Sequence, residues 1–445
     1  MKISVPCRPS SLGACCRVQR PFSRFDAAWA IFITVLLVVF PGLAGAQTYQ
    51  NTQYSFTTRS GGAIISAAQV SASASVGDLL GVMFSANTVS ITNNYLFGGG
   101  LAGAAVSQGA GAASVGMISG TFDSNTTHAR TAIEGGGLVG ARAGGTGNAM
   151  IGESAASFQG NTVQTTFGYL QGGGLVGARS YAGNAMVGTI SGSFGTAGRG
   201  NAVTLEASLQ GGGLVGAKAS AGNATVSGIS RTATFYGNTV AAGVGTNGEK
   251  YLLGGGLVGA SSNLGTARVG DSFGAAGGNT VTTGSYLYGG GLVGARSSSG
   301  NAVVGTVSGS FGGPGNENTT SGNMVRAGTW LYGGGLVGAM TDFGTATVHA
   351  IASETTFQGN TVATGAGGSG NQQLFGGGLV GAYSYGNTAN VGDVAGTFGG
   401  TETRAGNTVT VGTSLLGGGL VGAATYTGQG TAFVGTVSAA ITGNT

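Results

Sequence analysis

Reactive side chains are scarce in this chain. Its 445 residues include three cysteines, two histidines, five prolines and only 7% charged residues. Cys7, Cys15 and Cys16 all stand near the amino terminus, so from Gln47 onward there is no thiol for a disulfide framework or a cysteine nucleophile. His128 and His349 are 221 positions apart, which does not suit zinc-ligand spacing. Beyond residue 46 the acids are Asp78, Asp123, Glu134, Glu153, Glu206, Glu249, Asp271, Glu317, Asp342, Glu354, Asp393 and Glu402, each nine or more positions from the next. Glycan-cleaving chemistry wants paired carboxylates, and local spacing supplies none. No phosphate-loop Gly-Lys-Ser/Thr is present, and no glycine block carries the aspartate of a calcium-binding β-roll. The expectation is a protein that is not an enzyme and holds no cofactor or metal.

The formal charge of +4 comes entirely from residues 1–46, where five basic residues face Asp26 alone. From Gln47 onward, 12 basic residues balance 12 acidic ones. That balance gives no support to the positive stripe needed for nucleic-acid or anionic-membrane binding. The same first segment has a basic start, the apolar run AAWAIFITVLLVVF at 27–40 and the small-residue end AGA at 44–46. It predicts a secretory signal peptide cleaved after Ala46. Fourteen apolar residues are short for a membrane span of about 20, although an uncleaved signal anchor is the alternative.

Glycine is what the chain has instead: 96 residues, without the three-residue period or the prolines of collagen. A composition 41% apolar is too hydrophobic for disorder, and this much glycine is costly in helices. Extended structure remains. The block GGGLVGA, first as GGGLAGA, begins at Gly98, Gly135, Gly172, Gly211, Gly254, Gly289, Gly333, Gly376 and Gly417, with spacings of 35–44 residues. Such a period indicates a stacked array. Stretches such as NAVVGTVSGSF (301–311) carry strand chemistry, and the Gly-Asn pairs carry turn chemistry.

These patterns predict an all-β, right-handed parallel β-helix of about nine repeats. Residues 1–46 are a signal peptide, 47–90 a cap with a degenerate first repeat, and 91–445 the repeats. Gly-Asn turns recur about twice per repeat (Asn161, Asn184, Asn201 and Asn223 are 23, 17 and 22 residues apart), which predicts two coils per repeat and a rod on the order of 80 Å at about 4.8 Å per coil. Stacking should align Phe122, Phe158, Phe194, Phe235, Phe273, Phe311, Phe357 and Phe398 into an apolar ladder and the turn asparagines into a hydrogen-bonded one. Two residues before each block stands Leu or Ile, from Leu96 to Leu415, and that position should face inward. The mixed position just before the block should face outward. A glycine-enabled bend inside GGG is then needed to bring the Leu of GLVG back inside.

GGGLVGA resembles the GLUG repeat of bacterial surface proteins, here Gly291-Leu292-Val293-Gly294 and its copies. The FxxN segments at Phe84–Asn87 and Phe122–Asn125, with GGAI at 61–64, resemble the short repeats of polymorphic outer-membrane autotransporters. Both resemblances imply a β-solenoid displayed outside a bacterial cell. An autotransporter also implies an outer-membrane barrel, which would lie beyond Thr445, since ITGNT is in mid-repeat; export by another route is the alternative. The expected function is that of a secreted or surface-bound adhesin or autotransporter passenger. Its contacts with a host-cell surface, matrix protein or glycan would be made by Tyr169, Tyr251, Tyr286, Tyr288, Trp330 and Tyr332, for which packing or stacked surface ladders are the other reading. A self-assembling coat protein is the competing reading, and a glycan-cleaving enzyme a distant third.

Overall fold

The computed structural model describes residues 47–244, 250–272, 274–313, 322–365, 372–400, 406–427 and 430–445. The expected signal peptide with its cysteines, Phe273, Glu249, Glu317 and Glu402 lie outside these residues.

Five parallel sheets run the length of a β-solenoid, four of 10 strands and one of 11, and no helix occurs among the described residues. One coil shows the plan: Ser157–Gln159, Thr162–Thr165, Leu170–Gly173, Val176–Ser180 and Ala185–Ile190. Each strand pairs in parallel with its counterpart in the next coil, as Leu170 does with Leu209 and Val176 with Val215. A whole glycine repeat therefore makes one wide coil. The expectation of two coils per repeat is corrected, and the stack over residues 98–445 is about 40 Å long, half the expected length. The cause is that both asparagine corners belong to the same coil. Asn161 pairs along the axis with Asn201, and Asn184 with Asn223, each a full repeat away.

The first corner is a continuous amide ladder. Asn87, Asn125, Asn161, Asn201, Asn238, Asn279, Asn323, Asn360, Asn407 and Asn444 each use Nδ2 to reach the next Oδ1 at 2.8–3.0 Å, up to the last. In Asn125 the second Nδ2 hydrogen goes to the Phe84 carbonyl, while Oδ1 accepts both Nδ2–H and backbone N–H of Asn87. Every buried polar atom of that side chain is satisfied, which is what allows an amide in an apolar stack.

Inside, Tyr49, Phe84, Phe122, Phe158, Phe194 and Phe235 stack at centroid distances of 4.6–5.0 Å. A second run joins Phe311, Phe357 and Phe398. Between them the register places Ala276, so the ladder expected to pass through Phe273 is interrupted at that rung. Ile133, Leu170, Leu209, Leu252, Leu287, Leu331 and Leu374 are all fully buried, as the inward assignment requires. Leu415, in the last full coil, is 42% exposed and departs from it. The residues 48–76 already form a complete coil, and GGAI continues the block pattern one register step before Gly98.

Candidate functional site

The strands on either side of each glycine block meet at a re-entrant corner. The first glycine of every block has φ between +97° and +121°, a conformation that side chains resist and that resets the register as anticipated. The second and fourth glycines let the two strands touch. A Cβ on Gly290 would lie 2.0 Å from the Val293 carbonyl oxygen, and one on Gly294 would lie 2.3 Å from the Gly290 nitrogen. The third packs against the opposite sheet, with a Cβ on Gly291 only 2.5 Å from Val325 Cγ1. Leu292 and Val293 then both turn inward and are buried.

Folding the strands so sharply turns two outward faces toward each other. The residue before each block and the residue after it line opposite sides of one lateral groove. The leading row reads Phe97, Glu134, Gln171, Gln210, Leu253, Tyr288, Tyr332, Phe375 and Leu416. The trailing row reads Ala105, Arg142, Arg179, Lys218, Ser261, Arg296, Met340, Tyr383 and Ala424. Contacts cross the groove coil by coil. Arg142 Nε is 2.9 Å from Glu134 Oε2 and its guanidinium lies over Phe97, while Arg179 Nε donates to Gln171 Oε1 at 2.9 Å. Farther along, Tyr332 stacks on Phe375 and tilts onto Tyr383, closing an apolar cluster with Met340.

The groove is thus ionic at one end and aromatic at the other. Burial pushes the Lys218 ammonium down to about 7, and repulsion from Arg296 and Arg179 adds to it. Its Nζ donates to Asn263 Oδ1 at 2.5 Å. Arg296 is held by Asp342, Nη2 to Oδ2 at 3.0 Å, and its Nε has no partner. Burial raises the Tyr288 phenol to about 12, and it raises Tyr169 to about 12 with Glu134 adding to the effect.

Lys218 makes a pH prediction. Its folded pKa is depressed relative to an unfolded value near 10.5, so between pH 7 and about 10 the unfolded chain binds the extra proton. Stability therefore rises with pH across that window, by up to about 1.4 kcal/mol per unit. Urea unfolding at pH 7, 8 and 9 should show this slope, and Lys218→Met should flatten it. An unchanged slope in the variant would assign the effect elsewhere.

The six aromatics expected as exposed contacts occupy two rows. Tyr288 and Tyr332 belong to the leading row, and Tyr169, Tyr251, Tyr286 and Trp330 stand two residues before it, on the groove's rim. All six are half-buried, because their rings pack on each other and on groove residues, as Tyr286 does on Trp330 at 5.0 Å. The outward assignment of the leading row needs the same correction: Glu134, Leu253 and Phe375 face the groove but are buried in it. Sequence reasoning missed the trailing row. Its signal was the one variable residue directly after each GLVGA. Among the described residues no three of His, Cys, Asp and Glu gather as a metal site. No protein-family model, curated protein or solved structure matches the chain.

Proposed function

We propose that the protein is a bacterial surface or secreted display rod of the adhesin or autotransporter-passenger type, acting by binding and without catalysis. The observation that supports this most is the groove. A nearly constant heptapeptide supplies the backbone frame, and its two flanking residues vary along the axis. A rigid array that holds the frame and changes the contact residues is suited to many weak contacts acting together. The export-type amino-terminal sequence, the absence of thiols after residue 46 and the GLUG- and FxxN-like repeats agree with a place outside the cell.

The test is binding of the purified protein to host cells, matrix proteins and a glycan array. Saturable binding is expected, reduced at least tenfold by changing Tyr251, Tyr286, Tyr288 and Tyr332 together to serine. No binding anywhere, with concentration-dependent fibres, would favour the self-assembling coat protein instead.

A further inference from the structure

The trailing row carries long side chains from Arg142 to Tyr383 with one interruption, Ser261. In the coils around that small residue the groove opens into a cleft of about 710 Å³, bordered by Gln210, Lys250, Tyr251, Asn263, Tyr288 and Arg296. Its chemistry is mixed in a specific way. Tyr251, Tyr286 and Tyr288 supply aromatic rings on one side. Gln210 and Asn263 supply amides, and Ser298 and Ser299 supply hydroxyls. Lys250 and Arg296 supply charge, and Lys218 stands behind Asn263 with its ammonium on the amide oxygen. None of the described lining residues is acidic; Asp342, the partner of Arg296, stands beside the cleft. Arg296 Nε is buried without an acceptor.

Aromatic faces suit the apolar faces of sugar rings, amides and hydroxyls suit sugar hydroxyls, and an excess of cations suits a carboxylate. We propose that this cleft is a binding site for an acidic saccharide, with its carboxylate held by Lys250 and Arg296 and its ring against the tyrosines. The assignment deepens the binding role proposed above and rests on it. Ser261 stands between Lys218 and Arg296 in the trailing row, in the coil whose Leu253, Asn263 and Leu264 line the cleft. In other coils the same position holds Met340 and Tyr383, so a large residue there is compatible with the frame.

Calorimetric titration of the purified protein at pH 6.5 and low salt tests this, with a galacturonic acid hexasaccharide, neutral maltohexaose and inorganic sulfate as probes. The acidic hexasaccharide should bind saturably and at least tenfold more tightly than either of the others. Ser261→Tyr should abolish that binding while leaving the thermal midpoint in place, and Arg296→Gln should remove the preference for the acidic sugar. Equal affinity for the neutral sugar, tight binding of sulfate alone, unchanged binding by Ser261→Tyr, or no binding of any probe would each overturn the assignment. Cell binding separates the two readings. If Ser261→Tyr still adheres to cells and the wild type ignores the acidic sugar, the cleft assignment fails and the adhesive role stands. If the wild type binds the sugar and no cell, matrix or glycan surface, the adhesive role fails alone.

Discussion

Gly290→Ala should cost upward of about 4 kcal/mol, an effect reserved for changes that the fold cannot absorb. The added Cβ would sit 2.0 Å from the Val293 carbonyl oxygen, 2.6 Å from the Gly338 nitrogen and 2.8 Å from the Val293 carbonyl carbon. All three are backbone atoms tied into the stacked strands, so no side chain can swing away. Relief requires separating the two strands of the re-entrant corner, which would also pull Leu292 and Val293 out of the core. Gly198→Ala is the matched control, because a Cβ there meets nothing within 4 Å. It should change stability by less than about 0.5 kcal/mol. Urea unfolding followed by circular dichroism compares the two, and equal small effects would show that the corner is looser than its geometry indicates.

That corner also marks where sequence reasoning ran out. The recurrence of GGGLVGA leads directly to a solenoid, because a block that no helix tolerates must stack in extended form. The inward Leu287 position and the asparagine ladder follow from the same stacking. The coil size did not. Asn161 and Asn184 look alike in sequence, and 22-residue steps are an acceptable coil length. What separates them is context: Asn161 follows a Phe-x-x pattern and stands at a buried corner, whereas Asn184 precedes an Ala-Met-Val strand and is exposed.

The groove was half legible for a related reason. Alternation identifies which side chains leave the core, but not whether they then meet solvent or each other. Tyr288 and Arg296 are both outward residues of their strands, yet the guanidinium lies 6.0 Å from the ring centroid. Only the bend at Gly289–Gly294 brings them together. Had GGGLVGA been read as a hinge with two variable flanks, the pairs Glu134 with Arg142 and Gln171 with Arg179 would have stood out as complementary partners eight residues apart.

Leu287→Asp should cost about 3–8 kcal/mol and open the stack locally. Leu287 is fully buried between Leu252 and Leu331 of the adjacent coils. Losing a leucine side chain from such a site costs about 2–5 kcal/mol. A carboxyl with no partner adds a further penalty of roughly 1–3 kcal/mol even when it takes up a proton. Tyr288→Asp, one residue away, faces the groove and should cost much less. It forfeits stacking on Tyr332 at 5.0 Å and the burial of half a ring, which together amount to about 2 kcal/mol, more than an exposed position would lose. Because each coil contacts mainly its neighbours, the damage from Leu287→Asp should concentrate near its own layer. Hydrogen exchange should show lost protection in 251–255, 286–290 and 330–334, with 95–99 still protected. Equal destabilisation by the two aspartates, or uniform loss of protection along the rod, would refute the inside-outside assignment or the layer-by-layer stacking respectively.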